Sequence, residues 1–269
     1  SVTNAVSANS LRFTQIYFFA MCLFYVDATP GSSIDDPERP SIPDEGDKEE
    51  PKPDEDENVT GTLAFEDIWP SGGDYDMNDV IVEYERKVYF DKKNIVTKIV
   101  DEFTPVHDGA TYVNAFAYQI DAAQIGDKIT LPEGAILEKE TSSIIVMSNA
   151  KQNIGNKYVV TREFNGSFLK NQLLSYNPYI IVKYSQGEQN RTEVHLPKHK
   201  ATAYANQSLI GSNDDAYYID RKGAYPFAID IPMLGFTPVT ERNRIDSQYP
   251  GFATWAKSMG NDCKDWYKK

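Results

Sequence analysis

Cysteine, histidine and clustered positive charge are all scarce in this 269-residue chain. Only Cys22 and Cys263 occur, far apart and without metal-ligand spacing, so neither a disulfide framework nor a cysteine zinc site organises the fold. The three histidines, His107, His195 and His199, form no H-E-x-x-H pattern, and no G-x-S-x-G elbow occurs. Both absences remove common hydrolase signatures. Lysine and arginine number 27 against 40 acidic residues, with no basic stripe to collect phosphates. Nucleic-acid binding and docking on anionic lipid are therefore disfavoured. The apolar run Ile16 to Val26 falls short of the about 20 residues a membrane-spanning helix needs. Glycoside chemistry needs only two carboxylates, but no pair stands out by spacing, and the chain reads as a non-enzyme.

Acid, proline and aromatics are what the chain does have. Of the formal charge of -13, a net of -9 lies between Asp35 and Glu57, so the rest is only mildly acidic. Residues 1–28 read as an apolar leader, a signal or an anchor remnant; the run around Ile16 to Val26 has the length of a secretory signal core. Met21 departs from the small residue that a lipobox places directly before its cysteine, so lipid anchoring through Cys22 stands beside a signal remnant and a buried strand as alternatives. Residues 29–59 carry Pro37, Pro40, Pro43, Pro51 and Pro53 through an acidic run that cannot bury enough apolar area to offset its ordering entropy. They read as an extended linker.

Residues 60–269 read as one folded domain. Short β-branched and aromatic runs recur at Val80 to Phe90, Asn94 to Phe103, Thr111 to Ile120, Ser142 to Met147, Tyr158 to Phe164, Tyr179 to Tyr184 and Phe227 to Ile231, with turn residues between them. This pattern predicts an all-β fold, an antiparallel, jelly-roll-like β-sandwich. One short C-terminal helix is expected after Pro250, with Phe252, Trp255, Ala256 and Met259 at helical spacing and Gly260 as its stop.

The densest chemistry lies in Phe65-Glu66-Asp67-Ile68-Trp69-Pro70-Ser71-Gly72-Gly73-Asp74-Tyr75-Asp76-Met77-Asn78-Asp79-Val80. Five carboxylates and an amide in one short loop repel unless a cation sits among them. Calcium suits such a loop because it takes six to eight oxygen ligands in irregular geometry. The candidate metal ligands are Glu66, Asp67, Asp74, Asp76, Asn78 and Asp79. The spacing from Asp74 to Glu85 imitates an EF-hand loop, but Asp79 stands where the turn glycine belongs and strand alternation follows, so a strand, an acidic loop and a second strand are expected. Two further pairs are secondary candidates. Asp214 and Asp215 are adjacent in a turn, where capping the backbone competes with ion binding. Glu193 and His195 lie on one face of a presumed strand, as an ion-site or groove pair or as a satisfied surface pair. Trp69, Tyr75, Tyr217 and Tyr218 flank the acidic segments and offer rings on which a sugar could stack.

The segment GTLAFEDIWPSGGDYDMNDVIVEYE resembles the signature of the LruC-type domain, a family of bacterial surface and secreted proteins common in gut Gram-negative bacteria. Further similarities occur at Asn177 to Ile180, Glu193 to Pro197, Asn213 to Asp215, Tyr225 to Ala228 and Tyr249 to Tyr267. The resemblance implies a β-rich extracellular or outer-membrane-surface domain behind a secretory or lipoprotein leader, with calcium at the acidic loop and no established activity. The expected function is a calcium-binding structural or adhesive surface module that meets a glycan or a surface or matrix component. A calcium-dependent carbohydrate-binding module is the alternative, and a glycoside-active enzyme a more distant one.

Overall fold

The computed structural model describes residues 55–166, 168–210, 218–220 and 225–268. The apolar leader, nearly all of the acidic linker, and Asp214, Asp215 and Tyr217 lie outside the described residues.

Among the described residues, eleven strands form two antiparallel sheets. They are β1 (Glu55–Phe65), β2 (Val80–Phe90), β3 (Val96–His107), β4 (Ala115–Gln119), β5 (Lys128–Thr130), β6 (Ile136–Glu138), β7 (Ser143–Met147), β8 (Tyr158–Glu163), β9 (Asn177–Val182), β10 (Thr192–His195) and β11 (Ala228–Ile231). The six-stranded sheet runs β11-β1-β2-β3-β8-β5, and the five-stranded sheet runs β10-β9-β4-β7-β6. The all-β, antiparallel sandwich expected from the sequence is therefore present. β1 opens at Glu55, inside the segment read as linker, because the acidic residues Glu55 to Glu57 pair along β2 opposite Phe90, Tyr89 and Val88.

Alternation explains the core. On β3, buried and half-buried residues take turns, and Phe103 meets Phe116 of the opposite sheet with ring centroids 5.1 Å apart. β7 departs from alternation, since all five of its residues are buried. Its outer face is covered as well: Ile145 joins Ala115, Ala117, Tyr179 and Ile181 in a second apolar cluster.

One helix is expected near the C-terminus, and the described residues there form two short ones, α1 (Ile245–Gln248) and α2 (Phe252–Lys257). Pro250 separates them, which fits its place at a helix start rather than inside one. Phe252 and Trp266 meet at 4.8 Å and extend the aromatic core over this end of the sandwich. No helix among the described residues is long and apolar enough to cross a membrane.

A candidate metal centre in the loop between the first two strands

Phe65 closes β1 opposite Val80, where β2 begins, so residues 66–79 form the connection between paired strands. Its two stems are tied by side chains. The Met77 amide donates to Glu66 Oε1 at 2.6 Å, and the Asp67 amide donates to Asp79 Oδ2 at 2.8 Å. Tyr75 and Met77 both adopt positive φ, at 54° and 56°. A left-handed non-glycine residue costs on the order of 1 kcal/mol, and here the apolar burial of both side chains offsets that cost. With Tyr75 and Met77 turned into the core, Asp74 and Asp76 are left to meet Glu66.

Oxygens of Glu66, Asp74 and Asp76 all lie within 4.8 Å of one another. Two oxygens on opposite sides of a calcium ion stand about 4.6 to 5.2 Å apart, so this spread fits one ion of that size. Glu66 and Asp76 are buried, whereas Asp74 is the accessible member. Glu66 Oε2 is buried without a hydrogen-bond partner, and Gly73 crowds it so closely that a Cβ there would come within 2.7 Å. An unpaired carboxylate oxygen at 0 % exposure is costly by itself. Among the described residues no lysine or arginine forms an ion pair with any of the three.

The electrostatics follow from this crowding. Burial, and then the Asp79 charge, raise the Glu66 carboxyl well above its ordinary value. Burial lifts Asp76 to about 6 against the opposing Arg242 amide, and burial with the Asp67 charge lifts Asp79 to about 7. Asp67 is also raised, first by burial, although the Asn114 side chain draws it down. All four shifts point upward, with burial the largest cause of each and Lys183 offsetting part of the rise at Asp67.

The six sequence-predicted ligands do not converge equally. Asp67 Oδ2 accepts from Asn114 Nδ2 at 2.8 Å, and Asp79 is engaged by the Asp67 amide. Asn78 donates through Nδ2 to the Val239 carbonyl at 3.0 Å, while its Oδ1 is buried without a partner. These three brace the loop around the Glu66, Asp74 and Asp76 cage. Glu85, the EF-hand mimic, sits along β2 and accepts from Asn58 at 2.9 Å, away from the cage. Sequence reasoning missed Asn114, Val239 and Arg242. The last two act through backbone groups, which leave no side-chain signature; Asn114 lay unremarked in an expected strand.

Glu193 and His195 belong to a different place, the outer face of β10. Val194 turns into the core, so its neighbours turn away, and His195 stacks on Tyr179 at 4.3 Å. Their reading as a surface pair is corrected, since both are buried. Every Glu193 oxygen is occupied: Oε1 accepts from Arg191 Nε at 2.8 Å and Thr202 Oγ1 at 2.7 Å, and Oε2 faces the Thr202 amide at 2.9 Å and His195 Nε2 at 3.0 Å. Burial pushes Glu193 up, but His195 and Thr202 hold it at about 2. Asn177 Nδ2 already donates to Gln119 Oε1 and the Lys200 carbonyl, which leaves Asn177 Oδ1 facing His195 Nδ1 at 2.7 Å. Both ring nitrogens of His195 face oxygens, and burial draws its pKa below the ordinary value although Glu193 opposes that shift. With these partners in place, no lone pair of Glu193 is left for a metal ion. The aromatics are corrected too: Trp69, Tyr75 and Tyr218 are buried rather than displayed as stacking platforms.

Similarity to known proteins matches this architecture. The crystal structure of a "putative lipoprotein" from Bacteroides ovatus superposes with a TM-score of 0.59 at 18% identity, over 80% of this chain and 74% of that one. At that identity the likeness concerns the fold. No curated protein matches the chain. Residues 137–267, from β6 to the end of the C-terminal aromatic cluster, match a domain of unknown function, DUF4842.

Proposed function

We propose that this protein is a non-catalytic, calcium-binding module of the bacterial cell surface, in which one ion held by Glu66, Asp74 and Asp76 stiffens the end of a β-sandwich. The observation that carries this reading is Glu66, whose buried Oε2 has no hydrogen-bond partner and whose carboxylate groups with those of Asp74 and Asp76 within 4.8 Å. The three grouped ligands are all carboxylates, and hard oxygen donors favour calcium over transition metals. The likeness to a lipoprotein fold, the LruC-type signature and the acidic proline-rich stretch before β1 support a tethered surface location. A structural or adhesive role is preferred over sugar binding because Trp69 and Tyr75, which would have to stack on a ring, are enclosed.

Calcium bound only by the folded protein stabilises it by about 2.7 kcal/mol at a hundredfold excess over Kd. For a domain of this size, that corresponds to a rise in Tm of about 5 to 10 °C. The rise is expected in wild type and lost in Glu66→Gln and Asp76→Asn, as read by differential scanning calorimetry. Magnesium is expected to give a smaller rise, because it dehydrates reluctantly. An undiminished calcium response in both variants would place the ion elsewhere.

A further inference from the structure

Two glycines stand side by side in the acidic loop, and space allows a side chain on only one of them. Neither Gly72 nor Gly73 has a φ in the left-handed region, so backbone conformation demands glycine at neither position. A Cβ on Gly72 would meet only the Tyr75 hydroxyl, at 3.5 Å, which is an ordinary contact. A Cβ on Gly73 would stand 2.7 Å from Glu66 Oε2, closer than such atoms approach, and 3.1 Å from Ile68 Cδ1.

We infer that Gly73 is a positioning residue of the cation site: the side chain it lacks is what lets Glu66 Oε2 stand where an ion can use it. The inference rests on the cation reading above and adds the residue that shapes one wall of the cage. The two contacts differ in how they can yield. Ile68 is 36 % exposed, so its side chain can swing toward solvent. Glu66 is at 0 % exposure, and its Oε1 already accepts from the Met77 amide at 2.6 Å. That bond leaves Oε2 as the Glu66 oxygen open to an ion.

A side chain at position 73 therefore acts on the cage whichever group moves. If the carboxylate turns, Oε2 leaves its place relative to Asp74 and Asp76. If the backbone yields instead, it carries Asp74, the next residue, with it. Oε2 has no hydrogen-bond partner to lose, so the fold without an ion is little affected. The loss falls on the ion, which needs several oxygens at fixed distances.

Calorimetric titration of the EDTA-treated full chain with calcium chloride tests this, with thermal melts in EDTA run in parallel. Gly73→Ala is expected to weaken calcium binding roughly 10- to 100-fold, the range for losing a group that orients a metal ligand, while the melt in EDTA stays near that of wild type. Gly72→Ala keeps the wild-type affinity. The double variant Ile68→Ala, Gly73→Ala removes the second contact and leaves only the one with Oε2; it is expected to bind as weakly as Gly73→Ala, and it serves if the single variant does not fold. In a Glu66→Gln background, Gly73→Ala is expected to weaken binding no further, because its effect runs through that carboxylate. Wild-type affinity in Gly73→Ala, or its recovery on adding Ile68→Ala, would overturn the role of Gly73 and leave the cation reading standing. Absence of binding heat in wild type would overturn both.

Discussion

Replacing Asp101 by Asn is expected to cost about 3 to 5 kcal/mol of stability, the range for breaking a buried ion pair by removing one partner. Asp101 sits on β3 between the sheets at 1 % exposure, directly across the ladder from Arg86. Its Oδ1 accepts from Arg86 Nε at 2.8 Å, and its Oδ2 accepts from Tyr176 at 3.0 Å and from Tyr118 and Arg162 at 3.3 Å. Arg162 is fully buried, held besides by the Gln124 carbonyl at 2.7 Å, with its Nε unpartnered. Neutralising Asp101 leaves that guanidinium charged in the core with nothing to balance it. Urea unfolding measures the loss, and a cost below about 1 kcal/mol would show that the pair is screened like a surface bridge.

The second large effect is a pH response of the calcium-free protein that the calcium increment opposes. Asp76 and Asp79 titrate in the folded protein near 6 and 7, each raised first by burial, and Asp108 and Asp230 are likewise raised to about 6 by burial. Their ordinary value is 3.8, so the folded chain binds more protons than the unfolded chain between these limits. Stability from these groups is fully present below the unfolded value and is lost as pH rises through 6 to 7. Calcium-free protein should therefore melt higher at pH 5.5 than at pH 8. Of the cage carboxylates, Glu66 and Asp76 are raised, and calcium needs them ionised, so its stabilising increment should grow from pH 5.5 to pH 8. Thermal melts at both pH values with EDTA or calcium measure this. A calcium-free protein that gains stability toward pH 8 would contradict the burial of these carboxyls.

The sequence shows the sandwich more fully than the site. Alternation in β2 and β3 and the continuous run in β7 declare themselves, because burial of one or both faces dictates residue type. β5 and β6 are three residues each and carry no period, so nothing in Lys128–Thr130 or Ile136–Glu138 announces a strand. The acidic loop is visible in the sequence as a dense run of carboxylates. Its division into cage and brace is not, since the distinction depends on which way Tyr75 and Met77 turn and on backbone groups of Val239 and Arg242. Glu193 and His195 share a face as their spacing indicates, but their burial depends on Arg191 and Thr202, which enclose them from outside the strand or at its edge.

The central claim, that a divalent cation occupies the cage between β1 and β2, is tested most directly by crystals grown in millimolar calcium and measured at a wavelength where calcium scatters anomalously. The expected result is an anomalous peak about 2.3 to 2.6 Å from Glu66 Oε2 and from carboxylate oxygens of Asp74 and Asp76. Density at hydrogen-bonding distances with no anomalous signal, which is what water alone would give, would contradict it.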